Sequence, residues 1–132
     1  MHYLPPYSRL REKLNLKSID GELHASIRLE DIEAFVRSIL LAVPLDEDWY
    51  RKTYPDIDEA VSEGLVRSGR EHFIRDGYFE GRRPFEMMVD EEWYLAQHAD
   101  IGAAVAAGRF ASAGDHFASH GYAEGRLPFG TE

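Results

Sequence analysis

Residues 46–85, DEDWYRKTYPDIDEAVSEGLVRSGREHFIRDGYFEGRRPF, recur 44 positions later as residues 90–129, DEEWYLAQHADIGAAVAAGRFASAGDHFASHGYAEGRLPF. The two stretches align without a gap and are identical at 19 of 40 positions. About two-thirds of the chain is therefore one supersecondary unit written twice. A period of this length marks a unit that gains core by stacking on its neighbour.

Within one unit the local signals predict three short helices. Asp46 is placed to cap a helix through Tyr54, its acidic first turn favoured by the macrodipole, and Pro55 discourages continuation. Asp56 with Glu59 forms a capping pattern for a second helix that runs to Gly64, a glycine able to take the left-handed stop conformation. Ser68 with Glu71 caps a third, expected to end at Gly77. The second copy repeats this punctuation at Asp90, Asp100, Gly108, Ser112 with Asp115, and Gly121. It lacks the proline, with Ala99 instead, and has Ala103 in place of Glu59, so its second helix is expected to be less firmly capped.

The first third differs in kind. Residues 29–43 place Ile32, Phe35, Val36, Ile39, Leu40 and Val43 at the spacing of a strongly amphipathic helix, and Pro44 stops it. Asp20-Gly21 lies between LNLKSI and ELHASI, the strongest short hairpin signal. Pairing across that turn puts Leu14, Leu16, Leu23, Ala25 and Ile27 on one face. An isolated hairpin is marginal in water, so the face must pack on the helices that follow or on the same hairpin of a second copy. The alternative is a short helix over residues 8–16, SRLREKLNL.

Composition bounds the function classes. The chain has 132 residues, 44% hydrophobic and 30% charged, with 24 acidic side chains, 15 basic ones and no cysteine. Disulfides, thiolate metal sites and a cysteine nucleophile are excluded. No apolar run approaches the roughly 20 residues of a spanning helix, and MHYLPPYSRLREK lacks a signal peptide's apolar region. A cytoplasmic protein without membrane insertion is the expectation. The net charge of −9 argues against nucleic-acid affinity, which needs clustered Lys and Arg. Residues 1–45 carry six basic and six acidic side chains, residues 46–89 seven and eleven, and residues 90–132 two and seven. The strand-then-helix N-terminus superficially resembles ribbon-type DNA readers, yet it is electrically neutral.

The pattern Trp-Tyr-x4-Pro-Asp-Ile-x2-Ala-Val-x2-Gly, followed by Ser-x3-His-Phe-x3-Gly-Tyr-x-Glu-Gly-Arg-x-Pro-Phe, resembles a small tandem helical repeat of bacterial proteins. Such repeats occur alone or attached to glycosyltransferase, surface-polysaccharide and secreted-protein domains. The resemblance covers residues 46–129 and departs at Ala99, which replaces the proline, and at His98, which replaces the usual Asn or Tyr. It implies an accessory or interaction role near surface-glycan biosynthesis and transfers no catalytic residue.

Each candidate for chemistry has a structural alternative. His72 and His116 recur without a companion nucleophile at a repeated position, which favours imidazoles packed against a carbonyl or carboxylate. His116 and His120, at i and i+4, are the candidate for a metal-dependent enzyme, its third ligand drawn from Asp115, His98 or Glu124. Glu80-Gly81-Arg82 and Glu124-Gly125-Arg126 suit a carboxylate or phosphate clamp, but the repeat favours bracing, with each arginine paired to acids at helix starts across a junction. Trp49, Tyr50, Trp93, Tyr94, Phe73, Phe85, Phe117 and Phe129 are expected in core and junction packing rather than on a sugar platform. Tyr78, Phe79 and Tyr122 are the first choice for partner or ligand contact, a glycan-binding module being one such use.

The expected architecture is mainly α: a β-hairpin and long amphipathic helix over residues 1–45, then three-helix repeats over 46–89 and 90–132 sharing one core. The expected role is a non-catalytic scaffold or accessory protein, homodimeric through its N-terminal element, with an unidentified protein partner and no cofactor, metal, nucleic acid or catalytic residue. His72, Glu80, Arg82, His116, Glu124 and Arg126 are the expected bracing residues.

Overall fold

The computed structural model describes residues 3–131, so residues 1, 2 and 132 of the predicted terminal segments lie outside the described residues. About half the chain is helical, with one antiparallel hairpin near the N-terminus followed by several helices. The chain divides between Phe85 and Glu86 into two compact units, and the N-terminal element belongs to the first.

The hairpin forms, and the alternative helix over residues 8–16 is confined to a short helix that stops before the first strand. Helix α1 spans Tyr7–Glu12 and strand β1 begins at Asn15, pairing with β2, Glu22–Ser26. Asp20 at φ 51° and Gly21 at φ 82° make the turn, the left-handed pair that matches the twist of a two-residue hairpin. Leu16 faces Ala25 and Ser18 faces Leu23, which is the expected register. Every residue of both strands is exposed.

Helix α2 spans Leu29–Leu40, three residues shorter than the apolar stripe. Residues 41–43 form a turn and bend ahead of Pro44, which disfavours a helical conformation at the residue before it. The Arg70 guanidinium takes the terminal carbonyls of Leu41 and Val43 at 2.6 and 3.0 Å, satisfying groups that a helix end leaves open.

Helices α3, Glu47–Thr53, α4, Pro55–Ser62, and α5, Gly69–His72 extended by a π-helical turn Phe73–Gly77, complete the first unit. The second repeats them as α6, Glu91–Gln97, α7, Ala99–Ala106, and α8, Ala113–His116, with its π-turn Phe117–Gly121. Asp46 and Asp90 accept from the backbone N–H of Trp49 and Trp93, both at 3.0 Å. Ser68 and Ser112 accept from Glu71 and Asp115. Gly64 and Gly108, at φ 75° and 77°, end α4 and α7 as expected, with Leu65 and Arg109 donating back to Ala60 and Ala104.

Asp56 is not a cap. Proline suits the first helical position, where the N–H has no acceptor in any case, so α4 starts at Pro55 and its N-cap is Tyr54, without a side-chain hydrogen bond. Asp56 falls inside the first turn. The second copy breaks at His98 with nearly the same backbone angles despite Ala99, so proline is not what makes the break. The Tyr54 and His98 rings lie 4.9 and 4.7 Å from the rings of Tyr50 and Tyr94, a contact both copies share.

The single shared core is replaced by one core per unit. Leu40, Tyr50, Ile57 and Phe73 form the first, with Val36, Val43 and Leu45 packed against it; Tyr94, Ile101, Ala113 and Phe117 form the second, with Met87 and Val89 beside it. Full burial of a side chain such as Phe73 contributes roughly 2–3 kcal/mol. Each unit also closes on itself, since Asp46 N–H donates to Pro84 at 3.0 Å and Asp90 N–H to Pro128 at 2.9 Å. Trp49 and Trp93 are partly buried, whereas Phe129 is half exposed and outside the core.

Candidate functional site

Five matched side chains in each unit form one connected chain of polar contacts. In the first, the Tyr50 hydroxyl and His72 Nδ1 are 3.0 Å apart, His72 Nε2 faces Glu80 at 3.7 Å, and Glu80 accepts from Arg82 Nε at 2.8 Å. Arg82 then grips Asp56 with both terminal nitrogens, at 2.9 and 2.7 Å. In the second, Tyr94 to His116 is 2.8 Å, His116 to Glu124 is 3.9 Å, Arg126 to Glu124 is 2.6 Å and Arg126 to Asp100 is 3.6 Å. The acids at the helix starts are the arginine partners, but each pairing is made inside its own unit instead of across a junction. The reason is geometric: the segment carrying Glu80 and Arg82 returns to the start of α4, where Asp56 sits in the first turn.

Tyr50 and Tyr94 are fully buried, and His72 and His116 nearly so. A buried phenol needs a hydrogen-bond partner, and a glycine supplies the room for it. A Cβ on Gly77 would lie 2.3 Å from the Tyr50 hydroxyl oxygen, and one on Gly121 2.4 Å from that of Tyr94. The helical stretch ends at each glycine as expected, but neither has a positive φ, so their role is close approach and not a left-handed stop. The left-handed glycines of this region are Gly81 and Gly125, four residues later. The π-turn, closed by Tyr78 N–H to Phe73 and Tyr122 N–H to Phe117, both at 2.9 Å, carries the chain past this contact.

Electrostatics follow the same contacts. Burial pushes the phenol pKa of Tyr50 and Tyr94 up and holds the His116 imidazolium pKa below its ordinary value. The hydrogen bond from Arg126 lowers the Glu124 carboxyl, and that from Arg82 lowers Asp56. Asp56 first and Glu80 second raise the pKa of Arg82. In each unit the histidine Nδ1 is hydrogen-bonded to the buried phenol, while Nε2 lies near a carboxylate at a separation too long for a hydrogen bond.

The proposed metal pair is laid out differently from a chelate. His116 and His120 stack with ring centroids 5.7 Å apart, Phe110 lies edge-on to both, and His120 Nδ1 meets Ser119 Oγ at 2.8 Å. Among the described residues no three His, Asp or Glu side chains are grouped to hold a metal ion.

Tyr78 and Phe79 are 42% and 40% exposed, with ring centroids 5.4 Å apart. One face of Phe79 is covered by the Arg37 guanidinium, 4.5 Å from its centroid, which also donates to the Arg75 carbonyl. Tyr122 differs from Tyr78 in being partly buried against the second core.

Sequence reasoning missed three roles. Glu47 and Glu91 each reach 22 residues ahead to accept two backbone N–H groups at the start of α5 and α8, at 2.8 and 2.9 Å in the second unit. With Ser68 and Ser112 they satisfy the first three donors of those helices. Their identity between copies was the available signal. Tyr50 and Tyr94, paired to the histidines, were equally visible as matched positions. Arg70, which holds α2, left no such signal because Gly114 replaces it in the second copy. No family model, curated protein or solved structure matches the chain.

Proposed function

We propose that the protein is a non-catalytic interaction module, a homodimeric scaffold or accessory protein of the cytoplasm, serving surface-polysaccharide biosynthesis as the repeat resemblance implies. One observation carries this: the side chains best able to do chemistry are engaged, in both units, in the same internal chain from tyrosine to aspartate. Duplicated contacts of that kind hold a fold together. Exposed large apolar side chains are most frequent in the electrically balanced first third, where Tyr3, Leu4, Tyr7, Leu23 and Leu29 are each at least 60% exposed, although Leu65 and Met88 of the repeats are as exposed. Neutral charge with exposed apolar surface favours protein contact. Sedimentation at micromolar concentration is expected to show a dimer, and a strict monomer would remove that part. Affinity capture from native cells tests the partner, and recovery of a glycosyltransferase or export component in stoichiometric amount supports the setting.

The adjacent exposed rings of Tyr78 and Phe79 favour a second function, a glycan-binding module. Glycan binding abolished by Tyr78→Ala at unchanged melting temperature would establish it over the scaffold.

A further inference from the structure

We propose that two copies of the chain join β2 to β2, antiparallel and centred on His24, into one four-stranded sheet. This deepens the homodimer proposed above and rests on it. The sheet of the chain holds only β1 and β2, so both of its edges are free among the described residues. A two-stranded hairpin exposed at every position is marginal in water, and an unpaired edge is a template for another strand.

The turn decides which groups face outward. A two-residue turn makes Ile19 and Glu22 the first hydrogen-bonded pair. Alternation then makes Lys17 with His24 the next such pair, and directs the N–H and C=O of Leu16 and Ser18 along one edge and of Leu23 and Ala25 along the other. Full overlap of two β1 strands centres on Lys17 and sets two ammonium groups directly opposite, which is destabilising. Full overlap of two β2 strands instead sets Leu23 of each copy opposite Ala25 of the other, matching the outward donors and acceptors. Glu22 then stands opposite Ser26 and diagonal to His24, a favourable neighbour for an imidazole; within one copy Glu22 and His24 already lie 3.7 Å apart. Leu16, Leu23 and Ala25 of both copies share one side, doubling the apolar face.

Charge argues for a second copy as the occupant. Each chain carries −9 overall, with −4 on residues 46–89, seven basic against eleven acidic, and −5 on residues 90–132, two against seven. Residues 1–45, six against six, are where two such chains meet with least repulsion. Antiparallel pairing of identical strands is also the two-fold symmetry that closes a dimer.

The chain has no cysteine, so His24→Cys supplies a single thiol. In the proposed register the two Cα atoms at position 24 form a non-hydrogen-bonded pair about 4.5 Å apart, within disulfide reach. Full-length H24C is expected to cross-link into dimers on mild oxidation, and K17C to remain monomeric on the same non-reducing gel. Ala25→Pro removes an N–H that the β2 edge must donate, and Ser18→Pro removes the corresponding one on β1. With circular dichroism matching the parent, A25P is expected to sediment as a monomer and S18P as a dimer. Cross-linking of K17C with a monomeric S18P would overturn the choice of strand. A parent dimer that neither proline disrupts and neither cysteine captures would overturn strand pairing and leave the homodimer standing. A monomeric parent would overturn both.

Discussion

In the first repeat the Tyr54 hydroxyl accepts from Arg83 N–H at 2.9 Å, Arg82 binds Asp56 through two nitrogens, and Arg70 fastens α2. In the second, His98 stands where Tyr54 does and its Nε2 is buried without a hydrogen-bond partner among the described residues. Arg126 reaches Asp100 only at 3.6 Å, and Gly114 replaces Arg70. The buried tyrosine, histidine and phenylalanine are the same in both. Matched residues thus specify the shape of a unit, while the unmatched ones set how tightly it is held and what docks on it.

The comparison breaks most readily at its common centre. Gly77→Ala forces a methyl group against the Tyr50 hydroxyl and is expected to destabilise the first unit by about 3 kcal/mol. Tyr50→Phe in the same chain removes the clashing oxygen and should restore part of that loss; no recovery would show that the glycine serves something else. The two tryptophans fall one to a repeat, so Trp93→Phe leaves Trp49 to report the first unit by fluorescence in urea, and Trp49→Phe leaves Trp93 for the second.

Tyr94→Phe strands a buried imidazole nitrogen and is expected to cost the second unit about 2 kcal/mol. Arg70→Ala, by contrast, acts on the first unit alone: two charge-assisted bonds to the end of α2 are lost, at about 1–2 kcal/mol. Faster amide exchange confined to residues 29–43 would register that loss. His98→Tyr sharpens the comparison in the other direction, replacing the buried unpartnered nitrogen with the hydroxyl its counterpart uses, and should raise the urea midpoint of the second unit by about 1 kcal/mol of stability.

The smallest effect is one of pH. Burial holds the folded-state pKa of His116 below its unfolded value, so the unfolded chain binds more protons on acidification. The stabilisation is complete above about pH 6.5 and is lost as pH falls from there through the lowered folded value. Glu124, also lowered, extends the loss below about pH 4.3. The midpoint reported by Trp93 should therefore fall between pH 7.5 and 5.5, and His116→Gln should flatten that slope.

Local features were legible where one short stretch contains both partners. Asp46 and Ser68 cap residues three positions away, Asp20-Gly21 makes its own turn, and the stripe of α2 lies within one helix. Features that join distant segments were not. Asp56 looks like a cap until Pro55 takes the first helical position, and its true partner Arg82 lies 26 residues on. Gly77 ends its helical stretch as glycine often does, but its missing side chain is also space for a phenol from another helix. The cover on one face of the Phe79 ring comes from Arg37, 42 residues earlier and outside the repeat, while the ring stays 40% exposed.

Because the carbonyl of Pro84 meets the amide of Asp46, and that of Pro128 the amide of Asp90, each module begins and finishes at one spot. A segment whose ends meet can be copied head to tail, or excised, without leaving a gap to bridge. Gene duplication could lengthen such an array one cassette at a time, each newcomer inheriting a finished interior and free to change its outer residues.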